Sequence, residues 1–221
     1  MENYMNDYLT IALPKGKLFT ISKNLLHRVG LSADHLSEKS RKLVIENEDL
    51  KVRFIIAKTS DVPTYVGYGA ADIGIIGKDV LLESQKDVYE ILDLGFGKCH
   101  LMMAVPQKEK RRRLLDYSYT RVATKYPHIA ESFFARQGMQ MEYIKLNGSI
   151  ELGPIVGLSE SIVDIVETGT TLAENDLEEI AHILDVSARL IVNRVSFKLK
   201  FHRINEIVNN LRPIIESGEI L

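Results

Sequence analysis

Apolar and polar positions alternate between two periods along almost the whole chain, which argues for an α/β protein rather than a helical bundle or a β-sandwich. Tyr8 to Leu13 reads YLTIAL, a short apolar run rich in β-formers that predicts a buried strand ending at Pro14. Leu18, Ile21, Leu25, Leu26 and Val29 then fall on one helical face, with Gly30 where a left-handed cap is expected. Val44 to Glu46 and Val52 to Ala57 predict two strands around the polar turn Asn47 to Asp49, a hairpin. Asp61-Val62-Pro63 opens a short helix that should run to about Tyr68 and stop at Gly69.

The rhythm continues with strands at Asp72 to Ile76, Tyr89 to Leu94 and Cys99 to Val105, and a helix opening at Gly77-Lys78-Asp79. Further on come strand Arg121 to Thr124, helix Pro127 to Gln137, strand Met141 to Leu146, a short helix around Ile150 to Leu158 and strand Ile162 to Val166. A helix beginning near Thr171, a strand at Arg189 to Asn193 and an amphipathic helix from Phe197 to Ser217 complete the reading, with Pro213 expected to kink or end the last helix. Asp72 to Gly77 (DIGIIG) and Asp164 to Gly169 (DIVETG) share a spacing. If that echo is structural, it places equivalent strand-to-loop turns in two similar lobes, where α/β sheets collect ligands.

Composition removes several function classes. The 221 residues, 45% hydrophobic and 26% charged, can bury a sizeable core, which excludes a disordered or collagen-like chain. Lys and Arg number 28 against 30 Asp and Glu, a net charge of −2 that gives no general pull towards nucleic acid or an acidic membrane. The basic segment Gln107 to Arg113 (QKEKRRR) has no interleaved aromatics and reads as a solvated connection. No apolar run approaches the roughly 18 residues needed to span a bilayer. Met1 to Asp7 is polar and acidic rather than signal-like, so a cytoplasmic location is expected. Cys99, the single cysteine, lies on a predicted strand and reads as a core residue, and the six histidines show no metal-ligand spacing in sequence.

Three loops can carry chemistry. In Ile162 to Leu172, IVDIVETGTTL, a strand delivers Asp164 and Glu167 to its carboxyl end, and Thr168-Gly169-Thr170-Thr171 turns directly into a helix. Such a turn offers amides, threonine hydroxyls and a glycine that permits close backbone approach, groups suited to a phosphate. The acids before it suit sugar hydroxyls, or a magnesium ion through water. Together these point to a ribose phosphate; the alternative is an ordinary turn in which Thr and Glu act as helix caps. Pro14-Lys15-Gly16-Lys17 is a second candidate anion site, or else a solvated surface turn, and is too short for a Walker A loop. The third loop is Asn147 to Glu151, with Ser149 a candidate N-cap and Glu151 a candidate acceptor for an amino or hydroxyl group.

PKGK near the start, SRK at Ser40 to Lys42, DVPTYVGYGAADIGIIGKDVLLE from Asp61, ATKYP at Ala123 to Pro127, KLNGSIEL at Lys145 to Leu152 and VDIVETGTTL occur in an order that resembles ATP phosphoribosyltransferase. The resemblance covers most of the chain. It implies two α/β lobes around a central cleft, similar to periplasmic binding proteins, with residues 1–98 and 186–221 in one lobe and 99–185 in the other. It implies the first step of histidine biosynthesis: ATP and phosphoribosyl pyrophosphate, with magnesium bound alongside the substrate, give N1-(5-phosphoribosyl)-ATP and pyrophosphate. The length resembles the short form, which works in a hetero-oligomer with a regulatory subunit similar to histidyl-tRNA synthetase. No nucleic-acid or membrane partner is implied.

Carried over residue by residue, the resemblance assigns the phosphoribosyl group to Asp164, Glu167, Thr168, Gly169, Thr170 and Thr171, and the pyrophosphate to Lys15 and Gly16. Arg41 and Lys17 become the catalytic cations that stabilise the departing charge, and Leu13, Ser149 and Glu151 contact ATP. No protein metal ligand is implied. Lys17 stands where the family commonly has arginine; lysine keeps the charge but loses the bidentate fork. The competing reading from another class is a non-catalytic cytosolic ligand-binding protein on the same two-lobed scaffold.

Overall fold

The computed structural model describes residues 8–31, 36–37, 42–109 and 113–218. The strands are β1 (Leu9–Pro14), β2 (Val44–Asn47), β3 (Val52–Ala57), β4 (Ile73–Gly77), β5 (Tyr89–Asp93), β6 (Cys99–Pro106), β7 (Arg121–Thr124), β8 (Glu142–Lys145), β9 (Ser161–Val166), β10 (Leu177–Val186) and β11 (Ala188–Val192). The α-helices are α1 (Lys17–Arg28), α2 (Val62–Gly67), α3 (Lys78–Ser84), α4 (Pro127–Arg136), α5 (Leu152–Ile155), α6 (Thr170–Glu174), α7 (Arg194–Leu199) and α8 (Phe201–Glu216). Two compact units divide the chain, Met1–Gly97 with Ser187–Leu221 and Lys98–Val186. No described helix is long and apolar enough to cross a membrane.

The first unit is built on the sheet β2-β3-β1-β4-β11-β5. β1 runs parallel to both β3 and β4, and every one of its residues is buried. Leu9, Ile11 and Leu13 pack on one face with Leu25 and Leu26 of α1 and Ile204, Val208 and Leu211 of α8. Ala12 packs on the other face with Val62 and Val66 of α2. Burial on both faces is why this strand reads as a continuous apolar run rather than an alternating one. The C-terminal helices are fastened by two polar clusters. Asp72, nearly inaccessible, accepts from Thr10 N (2.8 Å) and from Lys200 Nζ (2.7 Å), while Lys200 also donates to the Tyr8 carbonyl (2.7 Å). Asn193 caps α7 by accepting from Val195 N and Ser196 N.

The second unit carries the sheet β10-β6-β9-β7-β8, with β7 parallel to β8 and β9 and the remaining pairs antiparallel. Leu101, Met103, Val122 and Val163 form one face of this sheet, covered by Ile129, Ala130 and Phe134 of α4. Met102, Ala104, Ala123, Ile162 and Val166 form the other, covered by Ile150, just before α5, and Leu172 of α6. The segments leading into α5 and α6, together with β9, hold the candidate site.

Several expectations need correction. The region after Thr171 is mostly strand: α6 has only five residues, and β10 follows at once. The terminal helix is two helices divided at Lys200, and Pro213 lies inside α8, which continues to Glu216. The helix around Ile150 to Leu158 shrinks to α5. The echo of Asp72 and Asp164 is not structural, because Asp72 precedes β4 and bonds Lys200, whereas Asp164 lies within β9. Gly77 likewise keeps φ at −72°, against +79° at Gly169.

Candidate functional site

Alternation along β9 puts Asp164 on the same sheet face as Ile162 and Val166, opposite Met102 of β6. Two neighbouring segments end on that face. β7 pairs with β9 through Ala123 and Ile162, so Lys125 emerges one residue beyond the end of β7. α5 is drawn against β7 at Gly153, where a Cβ would come within 2.8 Å of Ala123 Cβ and 2.7 Å of Ser159 Oγ. Only glycine permits that approach, and the approach carries Glu151, at the N-cap of α5, towards Asp164.

The electrostatics register the arrangement. Burial pushes the Asp164 carboxyl up from the ordinary aspartate range; the Ile165 N–H donated to its Oδ1 (2.8 Å) opposes the rise, the Glu151 carboxylate reinforces it and the Lys125 ammonium draws it back. Asp164 is therefore a desolvated acid between a second acid and a cation, a state that a positive ion or a pair of hydroxyl donors would relieve. Hard carboxylate oxygens of this kind fit magnesium, which keeps much of its water and takes one or two protein carboxylates.

Beyond β9, Glu167, Thr168, Thr170 and Thr171 are exposed, and Gly169 turns the chain with a left-handed φ of 79°. A Cβ on Gly169 would meet nothing within 4 Å, so the space over the turn is open. Thr168 Oγ1 and Thr170 Oγ1 lie 3.1 Å apart, and the Thr171 carbonyl accepts from Asn175 Nδ2 (2.8 Å). At five residues, α6 adds little macrodipole, so an anion at this turn would depend on the hydroxyls and amides rather than on the helix. The cap alternative does not hold at the start of α6, whose N-cap is Gly169 with no side-chain bond. Ser149 is not an N-cap either: it takes a left-handed φ of 47° and its carbonyl accepts from Leu152 N (3.1 Å).

The remaining sequence candidates belong to the first unit. Gly16 has a φ of 89° and caps α1, whose first residue is Lys17, with no acidic residue in its first turn. Lys15 is tied to the end of β3 through its N–H to Ala57 O (2.9 Å) and its carbonyl to Thr59 Oγ1 (3.2 Å). Lys15, Gly16 and Lys17 are exposed, while Leu13 is fully buried in the core. Arg41 lies outside the described residues. Lys125 is the site residue that sequence reasoning missed; its signal was present in ATKYP, a basic residue at the end of a strand whose parallel neighbour carries Asp164.

Fold and loops together define an α/β protein whose second unit gathers carboxylates, hydroxyls and a lysine at one end of its sheet, a donor set for an anionic, hydroxyl-bearing ligand. The substrate-binding protein of an amino acid ABC transporter shares the architecture, with a TM-score of 0.62 at 12% identity over 96% of this chain and 95% of that one, a likeness of fold alone. The family model for ATP phosphoribosyltransferase matches residues 58–213. An ATP phosphoribosyltransferase of Desulfitobacterium hafniense is 52% identical over 216 residues, 95% of this chain and 97% of the relative. The solved ATP phosphoribosyl transferase (HisG:HisZ) complex from Thermotoga maritima contains a chain with a TM-score of 0.80 and 33% identity, covering 95% of this chain and 99% of that one. The chain belongs to the ATP phosphoribosyltransferase family.

Proposed function

We propose that this chain transfers the phosphoribosyl group of phosphoribosyl pyrophosphate to N1 of the adenine of ATP, releasing pyrophosphate, as the first step of histidine biosynthesis in the cytoplasm. Family membership supports the reaction, and the observation that carries its placement is the convergence of Asp164, Glu151 and Lys125 beside the open turn at Gly169. Asp164 and Glu167 accept from the ribose hydroxyls, and Thr168, Gly169, Thr170 and Thr171 hold the 5-phosphate. The Asp164 carboxylate would help to hold magnesium through water, and the ion would supply charge neutralisation at the pyrophosphate.

As the bond from N1 to the anomeric carbon forms, the bond from that carbon to pyrophosphate breaks on the opposite face, with inversion. Positive charge grows on the ribose and negative charge on the leaving group. The protein then needs orientation and fixed charges more than a covalent nucleophile. Asp164 and Glu151 oppose the first charge; Lys15, Lys17, the Gly16 amide and Arg41 oppose the second. The ATP contacts fall to Ser149 and Glu151, with Leu13 contributing through the packing of β1.

The described complex of a relative with HisZ supports a hetero-oligomer, and we propose a regulatory subunit similar to histidyl-tRNA synthetase as the second chain. Pyrophosphate release from ATP, phosphoribosyl pyrophosphate and magnesium tests the reaction, with the subunit present and absent. Release that requires both substrates is expected. Binding of either substrate with no release under both conditions would leave the non-catalytic binding protein as the better reading.

A further inference from the structure

β10 is an edge strand whose pairing with β6 slips twice, between Glu179 and Ala181 and between His182 and Leu184. In a regular strand, residues three apart point to opposite faces. Each slip adds a residue and restores the face, so Glu179, His182 and Asp185 are the exposed positions along β10 and emerge on one side. That side also presents His100 of β6, which pairs with Asp185. His100 Nε2 lies 2.9 Å from Glu179 Oε2, the rings of His100 and His182 stack at 5.3 Å, and His182 Nε2 lies 3.4 Å from Asp185 Oδ1.

Two imidazoles and a carboxylate thus offer one donor atom each, all within 4.8 Å of one another. A tetrahedral ion with bonds of about 2.0–2.1 Å needs donors about 3.3 Å apart, which small side-chain rotations provide here. A single histidine–glutamate hydrogen bond needs one pair of residues; two bulges that bring four ligand-type side chains to one face do more. Nitrogen donors select a zinc-like ion over magnesium. Met102 stands between His182 and Asp164 on the same sheet face, so one strand lies between the cluster and Asp164.

We propose that His100, Glu179 and His182 bind a divalent transition-metal ion of the zinc type, with Asp185 adding negative charge beside His182. The test is equilibrium dialysis of the full chain against zinc chloride, with excess magnesium present. Wild type is expected to retain one zinc equivalent that the His100→Asn/His182→Asn double variant lacks, with Glu179→Gln weakening retention at least tenfold. Because these side chains are half-buried or exposed, unchanged circular dichroism is expected to accompany the loss. Cys99→Ser is expected to keep the ion. Failure of wild type to retain zinc, equal retention by the double variant, or loss of zinc on Cys99→Ser would each overturn the assignment.

Discussion

The carboxylate of Glu151 sits close enough to that of Asp164 to raise the Asp164 pKa, adding to the larger effect of burial. Two acids are held together at some electrostatic cost, and the protein meets part of that cost with Lys125 and the Ile165 N–H. A ligand presenting cations or hydroxyls meets the rest. This is the arrangement from which the following expectations are drawn.

Asp164→Asn separates stability from binding. The folded-state pKa of Asp164 is raised, so its contribution to stability is full below the unfolded aspartate value and is lost as pH rises through the folded one. The asparagine variant has no such loss. Thermal unfolding over an acid-to-neutral series is expected to show a variant at least as stable as wild type at neutral pH, with a shallower pH dependence, together with weaker binding of phosphoribosyl pyrophosphate. A variant less stable at neutral pH would mean that the charge stabilises the fold.

At Gly169, backbone and ligand effects can be told apart. Alanine there meets no protein atom within 4 Å, so its cost to the fold is that of a left-handed φ, about 1–2 kcal/mol. We propose that the 5-phosphate occupies this open space. Calorimetry is expected to show a loss of phosphoribosyl pyrophosphate affinity greater than tenfold in a chain that unfolds only modestly earlier; unchanged affinity would remove the phosphate from this turn.

Gly153→Ala acts by a different route. The new methyl would press on Ala123 and Ser159, an overpacking worth about 1–3 kcal/mol, and would move α5 and Glu151 away from β7. Denaturant unfolding is expected to show the stability loss, and steady-state kinetics a lower kcat. Full kcat with full loss of stability would show that Glu151 does not depend on this approach.

Thr171→Val removes a hydroxyl and keeps the shape. Loss of a hydrogen bond to a charged phosphate costs about 1.5–3 kcal/mol. The dissociation constant for phosphoribosyl pyrophosphate is expected to rise by about one to two orders of magnitude with ATP binding untouched, as read by calorimetry on each substrate.

The elements that sequence could reveal were those with a clean period. β1 and β9 are buried runs, β2 and β3 flank a polar turn, and α1 carries one apolar face capped at Gly30. β10 was hidden because its two bulges break the alternation that identifies a strand, giving exposed positions every third residue instead of every second. The same bulges explain why histidines without ligand spacing in sequence meet in space. In the site, Thr168 to Thr171 are visible as a motif because they are contiguous. Lys125 is not, since its closeness to Asp164 depends on β7 lying beside β9, a pairing that no local pattern encodes. The division of the C-terminal helix at Lys200 was likewise illegible, because it follows from the tie between that lysine, Asp72 and Tyr8 across the first unit.

The central claim, that the turn after β9 receives the phosphoribosyl group, is tested most directly by amide NMR of the labelled chain titrated with phosphoribosyl pyrophosphate and magnesium. The account predicts that the Thr168, Gly169, Thr170 and Thr171 amides shift most within the second unit, with Ile165, whose N–H is bonded to the Asp164 carboxylate, shifting alongside them. Saturable binding that leaves these five amides unmoved would contradict it.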